Sequence, residues 1–550
     1  MRLSPVVLAL LPGLAASSAY AAVYQVQELP EVSSVRSQYG AAINDNGDVV
    51  GTTSFIYNFP IDVSAIDFEN ASLVAALTAE EIAQAKLGNI NNRIQSILLA
   101  YLDDNSTDYR VQRISDIQAF NLSTATQIKV REQATVPTNR EYIYDINNSG
   151  NAIGVATTTF TQQSFTAEAT EAIPSPVAVN LWVPDSAHIK SYVVNGNSTT
   201  ALPIPYEEYG GGFALAQKIS ETNYIAGSGS VSMLEATSET IEKTCDGKAR
   251  PISLCYYSFA TSPSVPGYID RALVWKMNEA GQISAPVQYG ILGPVIENTS
   301  ENVYVSRALS VNDSGIAVGY STYTDEERRI LTRHATVFHE GEVSAVIDPL
   351  EWNSSLATDI NNQNIIIGSA NTTFNGLPTN RLFVFDYNTK TLTYPNGFFN
   401  SSDTNPMAIN ENNMVVGSAD MLPADGTTRR KVAFLYDIEN DSFTNLNALL
   451  PCDSAFTLVE AKDINNNNEI IANAVVSVEQ RDVKGEVVKD SAGNPVMENV
   501  SRAVKLIPVP NGTIESCQVE DGENYERQGG SSTWYSLLLL PLLLLRRRLS

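Results

Sequence analysis

Three histidines, His188, His334 and His339, are all that a chain of 550 residues offers for imidazole chemistry. His334 and His339 are five apart in strand-like text, so a period of two turns them to opposite faces and makes them a poor metal pair. A structural role is expected of all three, given how many ligands a zinc site requires. The chain holds no GxSxG elbow, HExxH helix, P-loop or dinucleotide glycine fingerprint. Acids are plentiful, at 61 Asp and Glu, and a paired-carboxylate hydrolase leaves no fixed spacing because the fold assembles the pair. The catalytic residues therefore stay unknown. Two turns come nearest to cation chemistry. Asn44, Asn46, Gly47 and Asp48, and then Asp145, Asn147, Ser149 and Gly150, partly imitate the alternating oxygens of a calcium loop. Neither has the downstream bidentate Glu, and hairpin chemistry accounts for their Asn and Gly. No cofactor and no metal are expected, with calcium as the alternative that a melt in excess chelator would test. Four cysteines complete the inventory. Cys245 and Cys255, ten apart, read as a local disulfide pinning a loop, and Cys452 with Cys517 as a staple across the last unit. Three pairings are open to four cysteines, and this one is preferred because it is local. Zinc competes, but neither pair has CxxC spacing.

The elements that position these residues repeat. Aligned on the apolar residue before a turn, the chain reads INDNGDVVGTT at Ile43, INNSGNAIGVA at Ile146, ISETNYIAGSG at Ile219 and VNDSGIAVGYS at Val311. It continues with INNQNIIIGSA at Ile360, INENNMVVGSA at Ile409 and INNNNEIIANA at Ile464. Each copy is a hairpin signal, because Asn and Gly tolerate positive φ and the flanking β-branched residues suit strands. Gly51, Gly154, Gly227, Gly319, Gly368 and Gly417 share one position in the second strand, where a missing side chain lets another backbone come close; the seventh copy has Ala472.

A second block follows: VNLW at Val179, ALVW at Ala272, ATVF at Ala335, LFVF at Leu382, AFLY at Ala433 and AVKL at Ala503, with LLAY near Leu98 as a weaker first copy. A polar strand ending near proline closes most units, as at Pro203, Pro395 and Pro451. About four short strands make one unit, the count of a propeller blade. Lone blades cannot bury both faces, so they stack in a ring or a line. VYQVQELP, Val23 to Pro30, resembles the last strand of a unit, while the seventh unit runs out of strands after AVKLIPVP. The expectation is an all-β, seven-bladed β-propeller closed through its N-terminal strand, with a solenoid or a row of sandwich modules as the alternative. A partly helical insertion is expected in the first blade, within 54–141, where Thr78 and Glu81 make a capping box and Leu73, Leu77, Ile82 and Ala85 fall at helical spacing.

The ends give an address. Arg2, an apolar run from Val6 to Leu14 and the small-x-small site Ala19-Tyr20-Ala21, cut between Ala21 and Ala22, read as a signal peptide of residues 1–21, leaving a propeller domain of 22–517. A polar linker over 518–533 precedes the tail of 534–550, in which the apolar run Trp534 to Leu545 is followed by Arg546, Arg547 and Arg548. Twelve apolar residues fall short of the roughly 20 needed to span a bilayer, so membrane contact is expected only briefly, before the tail is cut. A formal charge of −26 repels phosphate backbones and makes nucleic acid an unfavourable partner.

Gly529-Gly530, a short polar spacer, a Leu-rich run and a terminal Arg cluster, in that order, resemble the GlyGly-CTERM sorting signal of Gram-negative bacteria. That resemblance implies signal peptidase and a rhombosortase-type protease as partners, export through the periplasm, cleavage near Gly529 and Gly530, and display at the cell surface or release from it. Separately, INxxGxxVGxS followed by a short xAF-like strand resembles the HAF family of extracellular repeats. Over the whole chain the text resembles the uncharacterised DUF3466 proteins. Histidine precedes the Ala only at His334-Ala335, while Arg271, Arg381 and Arg502 stand there in other copies, and the family transfers no activity.

The function that follows is a binding module for a polysaccharide or an envelope protein, using long loops of the first four units, and no enzymatic activity is expected of it. The alternative is a hydrolase or lyase acting on an extracellular polymer through carboxylates in the channel. Acids with raised pKa in a central funnel would favour the enzyme; an aromatic patch without them would favour binding.

Overall fold

The computed structural model describes residues 23–515 apart from 132–136, 170–173, 187, 263–266, 294–297, 299–302, 326–329 and 423–428. The expected leader with Ala21 and Ala22, Cys517, and the tail with Gly529, Gly530, Arg546, Arg547 and Arg548 lie outside the described residues.

Seven four-stranded sheets surround one axis. Blade 5 shows the unit: Ser354–Ile360, Ile365–Phe374, Leu377–Asp386 and Thr391–Thr393 run antiparallel from the axis outward. The other inner strands are Val35–Ile43, Glu141–Ile146, Ala214–Ile219, Ser306–Val311, Thr404–Ile409 and Thr457–Ile464, and each packs against the next around the ring. Closure is by the first strand. Tyr24–Glu28 completes blade 7 by pairing with Met497–Pro508, Tyr24 opposite Pro508 and Glu28 opposite Val504. The expected ring and its N-terminal fastening are both found.

The core lies between blades, face to face. Val318, Ala335 and Val337 of blade 4 pack on Ile360, Ile366 and Phe383 of blade 5. Trp275, Phe338, Phe383 and Phe434, all from the third strands, are fully buried. Losing one such ring to Ala typically costs about 3–5 kcal/mol.

One irregularity recurs in all seven inner strands: a register shift of one residue just before the turn, between Gly40 and Ala42, Ile143 and Asp145, Ala216 and Lys218, and so through Ala461 and Asp463. A bulge of this kind bends the strand and re-aims the side chain that follows it. The repeated glycines sit opposite it. A Cβ on Gly368 would run into the carbonyl oxygen of Leu356, and one on Gly319 into that of Arg307. In blade 7 the strand slips a second time, between Leu458 and Glu460, and there Ala472 is accepted.

The turns divide their work between two residue positions. Positive φ falls late in the turn, at Gly47 (81°), Gly150 (75°), Asn364 (66°) and Asn468 (58°). The Asn directly after the Ile has another duty. Its Oδ1 caps its own turn, as when Ile365 donates to Asn361 at 3.0 Å, and its Nδ2 donates to the equivalent carbonyl of the next blade. Asn44 reaches Asn147 O, Asn147 reaches Ser220 O, Asn312 reaches Asn361 O, Asn361 reaches Asn410 O, Asn410 reaches Asn465 O and Asn465 reaches Asn44 O, at 2.9–3.3 Å. An amide side chain donates through Nδ2 and accepts through Oδ1, two atoms on one rigid plane, so it can serve both turns at once. At the blade 3 to blade 4 step, where Ser220 stands, Thr222 Oγ1 donates instead to Asp313 O at 2.9 Å.

Two sequence alignments need correcting. LLAY belongs to the helix Asn92–Asp104, and the third strand of blade 1 is Gln118–Asn121, inside the stretch expected to be insertion. VNLW lies on Val179–Pro184, which pairs with Phe160–Phe165 as a separate two-stranded ribbon; the third strand of blade 2 is Lys190–Asn195. The insertion of blade 1 carries helices α1 (Ala71–Ala76), α2 (Ala79–Lys86) and α3 (Asn92–Asp104). They enclose a small core of their own with Phe68, Leu73, Leu77, Ile94, Leu98 and Leu102. The expected capping box is present, Glu81 N donating to Thr78 Oγ1 and Thr78 N to Glu81 Oε2.

In an antiparallel meander the first and second connections leave opposite ends of the blade. Every large insertion uses the second: α1 to α3 in blade 1, the ribbon in blade 2, α4 (Glu235–Thr244) and α5 (Ile252–Ala260) in blade 3, and the extended hairpin before Met497 in blade 7. They therefore crowd one face of the ring, and the Asn-rich turns hold the other.

Candidate functional site

On the turn face the axis opens into a well. The residue that follows each bulge is Ala42, Asp145, Lys218, Ser310, Asp359, Ala408 or Asp463; of these Asp145, Lys218, Asp359 and Asp463 line the well, so three carboxylates surround one ammonium. Lys218 Nζ stands 3.5 Å from Asp145 Oδ1 and 3.8 Å from Asp463 Oδ1. Each carboxylate also accepts the backbone amide of the following blade: Asp145 from Ile219 at 2.7 Å, Asp359 from Ile409 at 3.0 Å and Asp463 from Ile43 at 2.9 Å. Above them lies a second ring. Asp45, Glu221, Asp313 and Glu411 alternate with Asn148, Asn362 and Asn466, and they too accept amides from the blade before, as Glu411 Oε1 does from Asn362 at 2.9 Å.

Burial raises the Asp145 carboxyl and lifts Asp463 to about 6, against the pull of Lys218. Burial alone would lower Lys218, but Asp145, Asp463 and Asp359 outweigh it and hold its pKa well above the ordinary value. Burial likewise raises Glu221 and Glu411. These are the raised acids that a channel enzyme would display. Their oxygens, however, are engaged in joining blade to blade, and the well encloses about 130 Å³, below the roughly 300 Å³ at which ligand pockets begin. Of the turn oxygens compared with calcium loops, Asp145 Oδ2 accepts across blades, while Asn44 Oδ1, Asp48 Oδ2 and Asn147 Oδ1 accept within their own turns. Among the described residues no group of three or more His, Cys, Asp or Glu side chains is placed to hold a metal ion.

The insertion face is built differently. Two adjoining cavities of about 420 and 430 Å³ lie beneath α3 and share Asp103, Ile114, Ser115 and Arg140. The first is walled by Arg113, Phe160 and His188, and by Tyr257 from α5. The second is walled by Arg36, Phe55, Tyr57 and Arg481. Blades 7, 1, 2 and 3 thus contribute to one cleft. Arg113 carries its guanidinium 4.4 Å from the Tyr109 ring centre and 5.2 Å from that of Phe160, and Phe160 meets Tyr257 edge to face at 5.2 Å. Arg36 lies over Phe55, which is 54% exposed, and pairs with Glu498 at 2.6 Å.

His188, expected to be structural, is half-buried in the wall of this cleft, and desolvation lowers it to about 4. Its Nδ1 accepts the Ile189 amide at 2.8 Å, which places the proton of the neutral ring on Nε2. His334 is buried in blade 4, also lowered to about 4 by burial, beside Thr332 Oγ1 at 2.7 Å. The Cys245–Cys255 disulfide is present and joins α4 to the start of α5; Cys517, the expected partner of Cys452, is outside the described residues. Sequence reasoning placed binding on the long loops but missed Arg113 and Arg140. The available signal was the basic text RVQRIS of residues 110–115 in an acidic chain.

A family model, DUF3466, described as a protein of unknown function, matches residues 2–548. No curated protein matches the sequence. Among solved structures the chain is similar to dipeptidyl peptidase 4 of Porphyromonas gingivalis, at 9% identity and a TM-score of 0.32, covering 66% of this chain and 48% of that one. It is also similar to the hydrazine synthase of Kuenenia stuttgartiensis, at 11% identity and a TM-score of 0.22, covering 58% and 36%. The chain spans less than half the length of either structure, and likenesses at these scores bear on neither activity nor substrate.

Proposed function

This chain belongs to the DUF3466 family, and we propose that it is an exported binding module that holds a polymer in the cleft beneath its helical insertion. The observation that carries the reading is the cleft. Four insertions converge there around aromatic side chains, and each of its two cavities, at about 420 and 430 Å³, is roomy enough for a ligand-sized group. Export rests on the leader through Ala21, on the GlyGly-CTERM-like order from Gly529 to Arg548, and on a loop disulfide suited to an oxidising compartment. Final residence at the cell surface or outside it follows from the same tail.

The second reading, an enzyme acting on an extracellular polymer, draws on the raised Asp463 and Asp145 in the well. One experiment separates the two. The segment Ala22 to Gln528 is passed over immobilised bacterial and algal polysaccharides and envelope proteins, with retention and newly formed chain ends both recorded. Retention without new ends supports the module; released ends overturn it in favour of catalysis.

A further inference from the structure

Resting on the reading of the cleft as the binding site, we propose that its first cavity recognises an acidic sugar residue, a carboxylate-bearing saccharide unit within a longer chain.

The electrostatics of the cavity run against those of the molecule. The chain carries −26, yet among the described residues this wall holds Arg113 and Arg140 against one carboxylate, that of Asp103. Neither arginine makes an ion pair among the described residues, whereas nearby Arg110 pairs with Asp108 and Arg131 with Asp185. A cation set in a partly buried wall without a carboxylate is costly to solvation and is held here by the Tyr109 and Phe160 rings.

The remaining polar groups are mostly donors or hydroxyls. Ser115 is 6% exposed, and its Oγ, like Arg113 Nε, has no hydrogen-bond partner among the described residues. The neutral His188 ring, whose Nδ1 is taken by the Ile189 amide and whose proton is therefore on Nε2, also lines this wall. Guanidinium, imidazole N–H and hydroxyl together match the acceptor oxygens of a carboxylate and the hydroxyls around it. Tyr257, half-buried and packed on the buried Phe160 ring, supplies the apolar surface that the C–H face of a sugar ring needs.

The second cavity fixes the ligand as a chain. It continues the first through Ser115 and Arg140, and its arginines, Arg36 and Arg481, are balanced by Asp116 and Asp482. The exposed Phe55 ring there suits a neutral sugar face. One site for an acidic unit beside one for a neutral face describes a polysaccharide better than an acidic peptide, whose charges repeat without a ring to stack. A nucleic acid would have to bring dense phosphate charge close to a strongly acidic protein.

The test uses the mature segment Ala22 to Gln528 in titration calorimetry with three probes: an oligogalacturonate hexamer, the same hexamer after reduction of its carboxyls, and an acidic hexapeptide. The expected result is binding of the oligogalacturonate, a tenfold or greater loss on carboxyl reduction, and a similar loss in Arg113→Gln with partial retention in Arg113→Lys. Arg140→Gln, at an exposed position, gives the same comparison should Arg113→Gln fold poorly. Equal binding of the reduced hexamer overturns recognition of the acid and leaves the binding module standing. Binding of the peptide alone overturns the sugar. Absence of binding by both hexamers overturns this proposal, and retention on none of the immobilised polymers would overturn the module with it.

Discussion

The side-chain amide of Asn465 donates to the backbone carbonyl of Asn44 at 3.0 Å, across a sequence separation of 421 residues. The same bond links Asn361 to Asn410 over 49 residues. Closure of the ring therefore repeats, at the seam where the two ends of the chain meet, a contact made between blades that follow directly in sequence. A single residue type at one turn position does both jobs.

Asn465→Ala should be markedly destabilising. It removes the amide to Asn44 and the Oδ1 that accepts from Asn467 and Glu469 at 3.0 and 2.9 Å. Loss of buried bonds of this kind is worth about 2–4 kcal/mol in total. Urea unfolding measures it; a change below about 0.5 kcal/mol would mean that the bridge is incidental to stability.

Gly368→Ala and Ala472→Gly probe equivalent positions with opposite expectations. The first forces a Cβ onto the Leu356 carbonyl and should cost about 2–3 kcal/mol. The second only loosens a strand whose register already slips twice, at about 0.5–1 kcal/mol. Equal costs would show that the bulge does not set the demand for glycine.

Asp463 ties stability to pH. Its pKa rises from 3.8 to about 6 on folding, so the folded chain binds this proton more tightly than the unfolded one. Its stabilising contribution is complete below about 3.8, declines as pH rises, and is lost above about 6. Wild type should therefore lose stability relative to Asp463→Asn between pH 4 and pH 7, by on the order of 2 kcal/mol. Asn at this position still offers an oxygen to the Ile43 amide. Denaturant titrations at four pH values give the slope, and a flat difference would contradict a raised carboxyl.

Reducing Cys245–Cys255 should act locally. The bond closes a loop of 10 residues between α4 and α5, and cross-links of that span are worth about 2–3 kcal/mol. Paired Ser substitutions should leave the melting of the ring nearly unchanged while increasing hydrogen exchange in α5. Ligand retention should fall, because α5 carries Tyr257 into the cleft. A fall in ring stability matching the full loop term would show that the insertion and the ring unfold together.

The sequence was most legible where structure repeats. Seven turns, their glycines and the stray strand at Val23 were enough to state the ring and its fastening, because each hairpin is specified within a dozen residues. What failed was local text without local meaning. VNLW has the alternation of a blade strand and does form one, but in a ribbon paired with Phe160–Phe165; alternation states that a strand exists, not which sheet receives it. LLAY is a short apolar run that suits helix or strand equally, and α3 claims it by burying Ile94, Leu98 and Leu102 on one side. The turn asparagines were read for their tolerance of positive φ, whereas Asn44 and Asn361 act through partners 103 and 49 residues away. Arg113, Ser115 and His188 meet Tyr257 only after four insertions fold onto one face, a juxtaposition that no spacing records.

The fastening of blade 7 also sets a clock. Tyr24–Glu28 is synthesised before its partner Met497–Pro508, which follows about 470 residues later; at roughly 5–20 residues per second that is a delay of about 25–95 s. Throughout that interval the strand is an unpaired edge, of the kind that invites association with other chains. Its text, YQVQE, alternates polar residues along its length, and only Tyr24 is buried once it docks. A strand that must wait so long for its partner thus has little to hide while waiting.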